Sequence, residues 1–174
     1  MRTQTFICIV CLLTLSFFNP SARVTAEEPS HVYNHHADEL VEEYEGVYLE
    51  INKATNTLQV YLNEHIIYTF PVATGISKKH TPEGTFQIVT KIKNPWYLPK
   101  EIAGGSPDNP LGTRWLGLDV PETSGYKYGI HGTNNPASIG KSVSQGCIRM
   151  HNKDVEWLFR HIPLGTLVRI KDEK

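Results

Sequence analysis

Residues Tyr128 to Asn152 read YGIHGTNNPASIGKSVSQGCIRMHN, and this stretch carries the residues that indicate the fold and the chemistry of the chain. It contains His131 and, sixteen residues later, Cys147. Gly, Ser, Thr and Asn fill many of the positions between them, so the segment offers little for core packing. One cysteine and one histidine among turn residues predict a thiol nucleophile and its base, brought together by a loop that folds back.

Each of these residues also has a structural interpretation. A single cysteine is more often a small buried hydrophobe than a nucleophile, and a single histidine is more often a surface or hydrogen-bonded core residue. Arg149 can be a solvated charge, and Ser144 and Thr133 are ordinary turn residues. Their coincidence in one segment, in a particular order, favours the catalytic interpretation.

That order resembles the signature of the YkuD-type L,D-transpeptidases, in which His-Gly-Thr is followed by Ser/Thr-x-Gly-Cys-hydrophobic-Arg. The matching residues are His131-Gly132-Thr133 and the segment SQGCIR from Ser144 to Arg149. The turns at Thr74-Gly75 and Thr81-Pro82-Glu83-Gly84 are also similar to the family. The resemblance covers about Val47 to Lys171, and a signature of this length is specific.

The resemblance implies a mostly β fold: a single β-sandwich or barrel domain with one helix in its C-terminal half and a long loop over the site. It implies an enzyme that acylates Cys147 with a peptidoglycan tetrapeptide stem and releases D-Ala. The acyl group then passes to an amine of a second stem, which makes a 3→3 cross-link. No metal ion or organic cofactor is expected, and carbapenem-like β-lactams are expected to acylate the same thiol.

Acyl transfer through a thiol gives the central residues their roles. Cys147 is the nucleophile, and His131 is the base that takes its proton and returns it to the leaving amine. The N–H groups around Gly146 and Cys147 are the expected oxyanion donors, because a glycine before the nucleophile allows a tight turn. Gln145 stands where some relatives carry a second histidine, so it is assigned no proton transfer.

The remaining residues of the oxyanion or substrate-binding set, beside Gly146, are Ser144, Arg149, Gly132 and Thr133. Ser144 either orients the imidazole or holds the loop, and either Thr133 or a main-chain carbonyl fixes the second ring nitrogen. Arg149 either binds a substrate carboxylate, supports the thiolate, or forms a structural salt bridge. The sequence leaves these alternatives open.

Alternation of apolar and polar residues before the signature predicts β-strands. They are expected at Val47–Ile51, Thr57–Leu62, His65–Ala73 and Thr85–Ile92. Pro71 within the third strand indicates an edge position or a bulge. Repeated short strands divided by turns favour a sandwich or barrel.

Residues Lys93 to Lys127 show no clear period and contain five prolines beside several aromatic side chains. Long loops in compact domains are often binding loops or lids. The aromatic side chains are expected either to pack against sugar rings or peptide stems, or to fold the loop onto the barrel. Within this stretch, Leu111–Leu118 resembles a strand of the family.

One helix is expected after the signature. Apolar residues from Val155 to Ile162 follow the i, i+3, i+4, i+7 spacing of a single helix face. Asn152 is the expected N-cap, Pro163 ends the helix, and Thr166–Ile170 is the expected closing strand.

The first 26 residues have the parts of a secretory signal peptide: Arg2, an apolar run and a small-residue site that ends at Ala26. An uncleaved anchor is the alternative, although the run is short for a membrane span. Cleavage removes Cys8 and Cys11, which leaves Cys147 as the single thiol of an exported protein. A thiol kept in an oxidising compartment indicates a function.

The predicted organisation is a signal peptide at residues 1–26, an acidic histidine-containing linker at 27–46 and a catalytic domain at 47–174. A metal site at the linker histidines is conceivable, but a tether is favoured. The formal net charge of −1 provides no basic field for nucleic acid, and the expected location is the cell wall or extracytoplasmic space. The alternatives to transpeptidation are an L,D-carboxypeptidase that uses water and a non-catalytic wall-binding relative.

Overall fold

The computed structural model describes residues 46–77 and 79–173. The expected signal peptide, the linker up to residue 45, Cys8, Cys11 and the linker histidines lie outside the described residues. The described elements are β1 (Val47–Asn52), β2 (Thr57–Leu62), β3 (His65–Pro71), β4 (Thr74–Gly75), β5 (Gly84–Lys93), β6 (Arg114–Leu118), β7 (Gly129–His131), β8 (Ser142–Ser144), β9 (Ile148–Arg149), α1 (Asn152–His161) and β10 (Leu167–Lys171), with 3₁₀ turns at Leu98–Lys100 and Pro136–Ser138.

Eight of the described strands form one mixed sheet in the order β3-β2-β1-β10-β5-β6-β7-β9. The pairs β1–β10 and β7–β9 are parallel, and the other neighbours are antiparallel. The strands β4 and β8 form a separate parallel pair. The last strand of the chain, β10, therefore lies in the middle of the large sheet.

The long strands lie close to where the alternation predicts them. The strand β2 coincides with the expected range, and β3 is the edge strand that Pro71 indicates. Asn63 and Glu64, which connect β2 to β3, both have positive φ, as in a type I′ hairpin turn. The mostly β fold is confirmed, with one α-helix among the described residues.

The sheet curls into a half-barrel, with α1 packed on β6 and β7. Trp157 of α1 also contacts Tyr68 of the edge strand β3, with ring centroids 4.2 Å apart. Val155 and Leu158 of the helix are fully buried in the core. The other buried core residues are Leu49, Ile51, Leu58, Val60, Val72, Ile88, Leu116, Leu118, Ile130, Ile148, Met150, Ile162, Val168 and Ile170. No described helix is both long enough and apolar enough to cross a bilayer.

One local feature differs from expectation, and the long stretch before the signature contains the strand that Leu111–Leu118 indicates. The prediction that Asn152 is the N-cap of α1 is wrong. His151 is the N-cap and makes no side-chain cap bond, and Asn152 is the first residue of the helix. The Asn152 side chain instead bonds the main chain of Thr133. The stretch 93–127 is divided, because β6 crosses it and pairs with β5 and β7. It therefore forms two loops, on either side of β6, rather than one.

Candidate active site

The parallel pair β7–β9 brings His131 and Arg149 to one face of the sheet. Ile130 and Ile148 are paired, and both are fully buried in the core. Successive side chains of a strand alternate between faces, so His131 and Arg149, which are also paired, lie on the opposite face. Cys147 lies outside the strand, in the turn that ends directly before Ile148.

Cys147 is half-buried and lines a cavity of about 510 Å³. Its thiol donates to the carbonyl oxygen of Lys127 at 3.4 Å, and the Gly129 N–H donates to the sulfur. Burial raises the pKa of the Cys147 thiol above its ordinary value, although the Gly129 N–H and the charge of Arg149 oppose this. The thiol is therefore protonated at neutral pH.

The walls of the cavity come mainly from the two loops beside β6. Most of its lining side chains are apolar or aromatic: Ile92, Pro95, Trp96, Tyr97, Leu98, Pro99, Leu111, Trp115 and Tyr126, with Lys127 and Cys147. Trp96 and Tyr126 remain largely exposed, while Trp115 is buried. The loops thus enclose an apolar space beside the thiol, as binding loops do.

His131 is only 4% exposed, and its ring stacks on Trp115 with centroids 5.6 Å apart. Its Nδ1 lies 2.6 Å from the Gly132 carbonyl oxygen. A carbonyl can only accept, so Nδ1 carries the hydrogen and Nε2 keeps its lone pair. Burial lowers the pKa of His131 from 6.5 to about 4; the Gly132 and Leu111 carbonyls oppose this, and the Arg149 charge lowers it further. The ring is therefore a neutral base.

The imidazole lies on β7, and the thiol belongs to the residue directly before β9, the strand that pairs with β7. The thiol is hydrogen-bonded to the Lys127 carbonyl rather than to the ring. Catalytic hydrogen bonds are often long or unformed before substrate binds, so this geometry is compatible with the expected pair.

Ser144 organises the turn that carries the thiol. Its Oγ accepts the Gly146 N–H at 3.0 Å and donates to the Cys147 carbonyl at 2.6 Å. Of the two alternatives left open by the sequence, these contacts correspond to holding the loop. The Gly146 N–H is consequently engaged, whereas the Cys147 N–H has no acceptor among the residues that the structure describes. The two expected oxyanion donors are therefore not equivalent.

Thr81 contacts this turn from a distant segment of the chain, although it is not part of the signature. It is fully buried, its Oγ1 accepts the Gly75 N–H at 2.8 Å, and it donates to the Gly146 carbonyl at 3.0 Å. The sequence gives only a turn signal at Thr81-Pro82-Glu83-Gly84, because a contact across 65 residues leaves no local pattern.

Gly132 bonds the imidazole directly, and Thr133 holds the chain that follows it. The Gly132 carbonyl, rather than Thr133, bonds the ring nitrogen. The Thr133 hydroxyl accepts the Asn135 N–H at 3.0 Å, and the Thr133 N–H donates to Asn152 Oδ1 at 3.1 Å. A Cβ at Gly132 would collide with the same Asn152 oxygen, so a larger residue would displace the Asn152 side chain from Thr133.

The Arg149 guanidinium has no carboxylate within salt-bridge distance among the described residues. The structural salt bridge is therefore not found there, and the charge is available to a substrate anion or to the thiolate. Within residues 46–77 and 79–173, no cluster of three or more His, Cys, Asp or Glu side chains is arranged to bind a metal ion.

The model of the L,D-transpeptidase catalytic domain, YkuD, matches residues 46–170. The chain is 53% identical over 126 residues to the putative L,D-transpeptidase YqjB of Bacillus subtilis, which covers 72% of each protein. It is 45% identical over 123 residues to the putative L,D-transpeptidase YkuD of Bacillus subtilis, covering 71% of this chain but 65% of that protein. With the probable L,D-transpeptidase ErfK/SrfK of Escherichia coli it shares 32% identity over 141 residues and spans 43% of that relative.

Solved structures share the fold. L,D-transpeptidase 3 from Mycobacterium tuberculosis, in complex with a faropenem-derived adduct, matches with a TM-score of 0.57 and 17% identity, covering 73% of this chain and 60% of that one. The catalytic domain of the Enterococcus faecium L,D-transpeptidase matches with a TM-score of 0.55 and 21% identity, over 73% of this chain and 98% of the other.

Proposed function

Since the chain belongs to the YkuD family of L,D-transpeptidase catalytic domains, we propose that it is a cysteine acyltransferase of peptidoglycan stems. One observation carries the proposal. Cys147 opens on a cavity of about 510 Å³, while the buried, neutral His131 lies on β7, which pairs with the strand β9 that begins directly after Cys147. This arrangement offers a nucleophile, a base and a substrate space together.

In the first step, the imidazole Nε2 accepts the thiol proton as Sγ attacks the carbonyl of the diamino acid in a tetrapeptide stem. The new bond joins Sγ to the acyl carbon, and the peptide bond to the terminal D-Ala breaks. The proton then passes from His131 to the leaving amine of D-Ala. D-Ala departs with that proton, and a thioester remains on Cys147.

In the second step, the side-chain amine of another stem attacks the thioester. Its lost proton returns through His131 to the sulfur, and a new amide joins the two stems. Water would give an L,D-carboxypeptidase instead. The mainly apolar walls of the cavity support transfer to an amine, because they limit the access of water to the thioester.

Charge that develops on the acyl oxygen needs donors, and the Cys147 N–H is the candidate that remains unpaired among the described residues. The Arg149 guanidinium, likewise without a carboxylate partner in that part of the chain, is assigned to a carboxylate of the stem. Neither role requires a metal ion or an organic cofactor.

Inhibition by β-lactams is part of the proposal. A faropenem-derived adduct of L,D-transpeptidase 3, a complex of LdtMt1 with imipenem and an avibactam carbamoyl enzyme of Ldtfm have been solved. The strained lactam amide of a compound such as imipenem offers the Cys147 thiol the same acyl chemistry as a stem.

The chain is further proposed to act outside the cytoplasm. Its signal-like residues 1–26 support export, and the family match at residues 46–170 supports a catalytic domain that follows the linker at residues 27–46. The cell wall is then the place where enzyme and stems meet.

The test is intact-mass analysis and product analysis with disaccharide-tetrapeptide and an added amine acceptor. The wild type is expected to gain the mass of the acyl group, release D-Ala and form cross-linked product. Cys147→Ala is expected to lose all three signals, because no thioester can form, while its melting temperature stays close to the wild-type value. Turnover by Cys147→Ala would overturn the assignment.

The same assay separates the alternatives. Tripeptide rather than cross-linked product, despite excess amine, would identify the carboxypeptidase. No D-Ala release by a folded wild type would identify the non-catalytic relative. A stem whose terminal carboxylate is amidated is expected to react with a higher KM if Arg149 binds that carboxylate.

A further inference from the structure

The peptide bond between Gly146 and Cys147 is held from one side only. Its carbonyl oxygen accepts the Thr81 hydroxyl at 3.0 Å, and its N–H, which belongs to Cys147, has no acceptor in the described part of the chain. The described backbone contains no cis peptide, so the carbonyl and the N–H of this unit point in opposite directions. Fixing the oxygen therefore also fixes the direction of the N–H.

Thr81 is itself held rigidly. It is fully buried, and its Oγ1 accepts the Gly75 N–H at 2.8 Å, so the hydroxyl hydrogen is directed to Gly146. Its main-chain carbonyl accepts the Lys53 ammonium at 3.1 Å, and Lys53 also bonds Glu83 at 2.9 Å. A buried hydroxyl with both a donor and an acceptor partner has one orientation.

The turn needs such a constraint because glycine permits rotation of the peptide unit. Gly146 has φ of +132°, a conformation that other residues rarely adopt. Ser144 bonds the Gly146 N–H and the Cys147 carbonyl, which belong to the peptide units on either side. Among these contacts, only the Thr81 hydroxyl acts on the unit that carries the Cys147 N–H.

We infer that Thr81 is a positioning residue for acyl transfer: its hydroxyl holds the Gly146–Cys147 peptide so that the Cys147 N–H meets the oxyanion that develops on the acyl oxygen when Sγ attacks the carbonyl carbon. This inference rests on the proposed function. Thr81 acts through the Gly146–Cys147 peptide rather than by touching substrate. A misdirected oxyanion donor reduces acylation, since each donor contributes on the order of 10²–10³-fold to such a step.

Two reactions of the same thiol distinguish this role from a purely structural one. With imipenem, Sγ attacks the lactam carbonyl, the ring C–N bond breaks and the thiol proton moves to that nitrogen, through an oxyanion. With iodoacetamide, Sγ displaces iodide from a methylene carbon, the thiol proton is lost to buffer, and no oxyanion forms. Peptide mass spectrometry of the full chain follows Cys147 separately from Cys8 and Cys11.

Thr81→Val removes the hydroxyl and keeps the shape of the side chain. It is expected to slow imipenem acylation of Cys147 by roughly 10- to 100-fold, while alkylation stays within about twofold of wild type because the thiol itself is unchanged. Thr81→Ser keeps the hydroxyl and is expected to restore most of the acylation rate. Thr113→Val is the matched control, because the buried Thr113 hydroxyl has no hydrogen-bond partner among the described residues.

Wild-type acylation rates in Thr81→Val would overturn the inference. An equal loss of acylation and alkylation would also overturn it, since that pattern means the variant disturbs the thiol or the fold rather than the oxyanion donor. If wild-type Cys147 is alkylated but never acylated by imipenem, the proposed function fails, and this inference fails with it.

Discussion

The side chains of Cys147 and His131 are both neutral at pH 7. Burial raises the pKa of the thiol and lowers the pKa of the imidazole to about 4, so the proton stays on sulfur at neutral pH. The nucleophile is then generated only when the ring accepts the proton during attack. Because thiolates are the species that oxidants attack, a protonated thiol also resists oxidation.

The burial of His131 links stability to pH. Its folded-state pKa of about 4 lies below the ordinary 6.5, so the unfolded chain binds this proton first as pH falls. The stability contribution is complete above about pH 6.5 and is lost toward about pH 4. At 1.36 kcal/mol per unit, roughly 2–3 kcal/mol should be lost between about pH 7.5 and 4.5.

The contribution of His131 is measured by urea unfolding of wild type and His131→Asn at about pH 7.5 and 4.5. Subtracting the change in the free energy of unfolding of the variant from that of wild type cancels the contributions of the carboxylates. The variant is expected to lose less stability on acidification by about 2–3 kcal/mol. His65→Asn, on the exposed strand β3, is the control and is expected to follow wild type. Parallel losses in wild type and His131→Asn would contradict the prediction.

At the scale of elements, the site depends on short strands joined by glycine-containing turns. The pair β7–β9 orients His131 and Arg149, and the pair β4–β8 places Gly75 beside Ser144. Ala73 exchanges two main-chain hydrogen bonds with Arg149, which ties the two strand pairs together. The cysteine turn, which is the turn from Ser144 to Cys147, therefore has main-chain contacts on both sides.

Gly146→Ala tests the cysteine turn. A Cβ there would lie 2.5 Å from the His80 carbonyl oxygen and 2.8 Å from the Tyr128 ring, at a φ of +132°. The free energy of unfolding is expected to fall by about 3 kcal/mol or more, from backbone strain together with the clash. Imipenem acylation of Cys147 should fall with it.

Gly140→Ala is the matched control for this variant. Gly140 also has a positive φ, but a Cβ there would meet nothing within 4 Å. Only the left-handed backbone penalty of about 1–2 kcal/mol is then expected, with little effect on acylation. Urea unfolding and the acylation rate measure both variants, and equal effects would show that crowding around the turn is unimportant.

On the scale of the whole molecule, the curled sheet joins distant parts of the chain. The last strand, β10, lies between β1 and β5, and the edge strand β3 reaches α1 through the contact of Tyr68 with Trp157. The loops beside β6 form the walls of the cavity on this scaffold. His131 lies on the strand β7, whereas Cys147 and most of the cavity-lining residues lie in turns and loops, where binding residues are common.

The proposed export also belongs to this scale. N-terminal sequencing of the protein recovered from the cell-wall fraction is expected to begin at Glu27, because Val24-Thr25-Ala26 has small or tolerated residues at the cleavage positions. Ala26→Tyr should block processing, whereas Thr25→Tyr at the tolerant middle position should not. Wild-type protein that keeps its first 26 residues and stays with the membrane would identify the anchor alternative.

How much of the fold the sequence predicts depends on element length. The strands β1, β2 and β5 are long enough to show their alternation, and α1 shows its helical face. The strands β4, β7, β8 and β9 have only two or three residues, so no period can be seen in them. Their existence depends on pairing with distant segments.

The sequence by itself determined the family signature, the candidate nucleophile and base, and the mostly β class. These features depend only on residue identity and on the periodicity of neighbouring residues. Only the tertiary structure decided that the Gly132 carbonyl holds His131, that Ser144 occupies the Gly146 N–H, and that Thr81 bonds the Gly146 carbonyl. Such bonds depend on where main-chain groups point after folding. A main-chain carbonyl is the same group in every residue, so its partner cannot be read from the order of side chains.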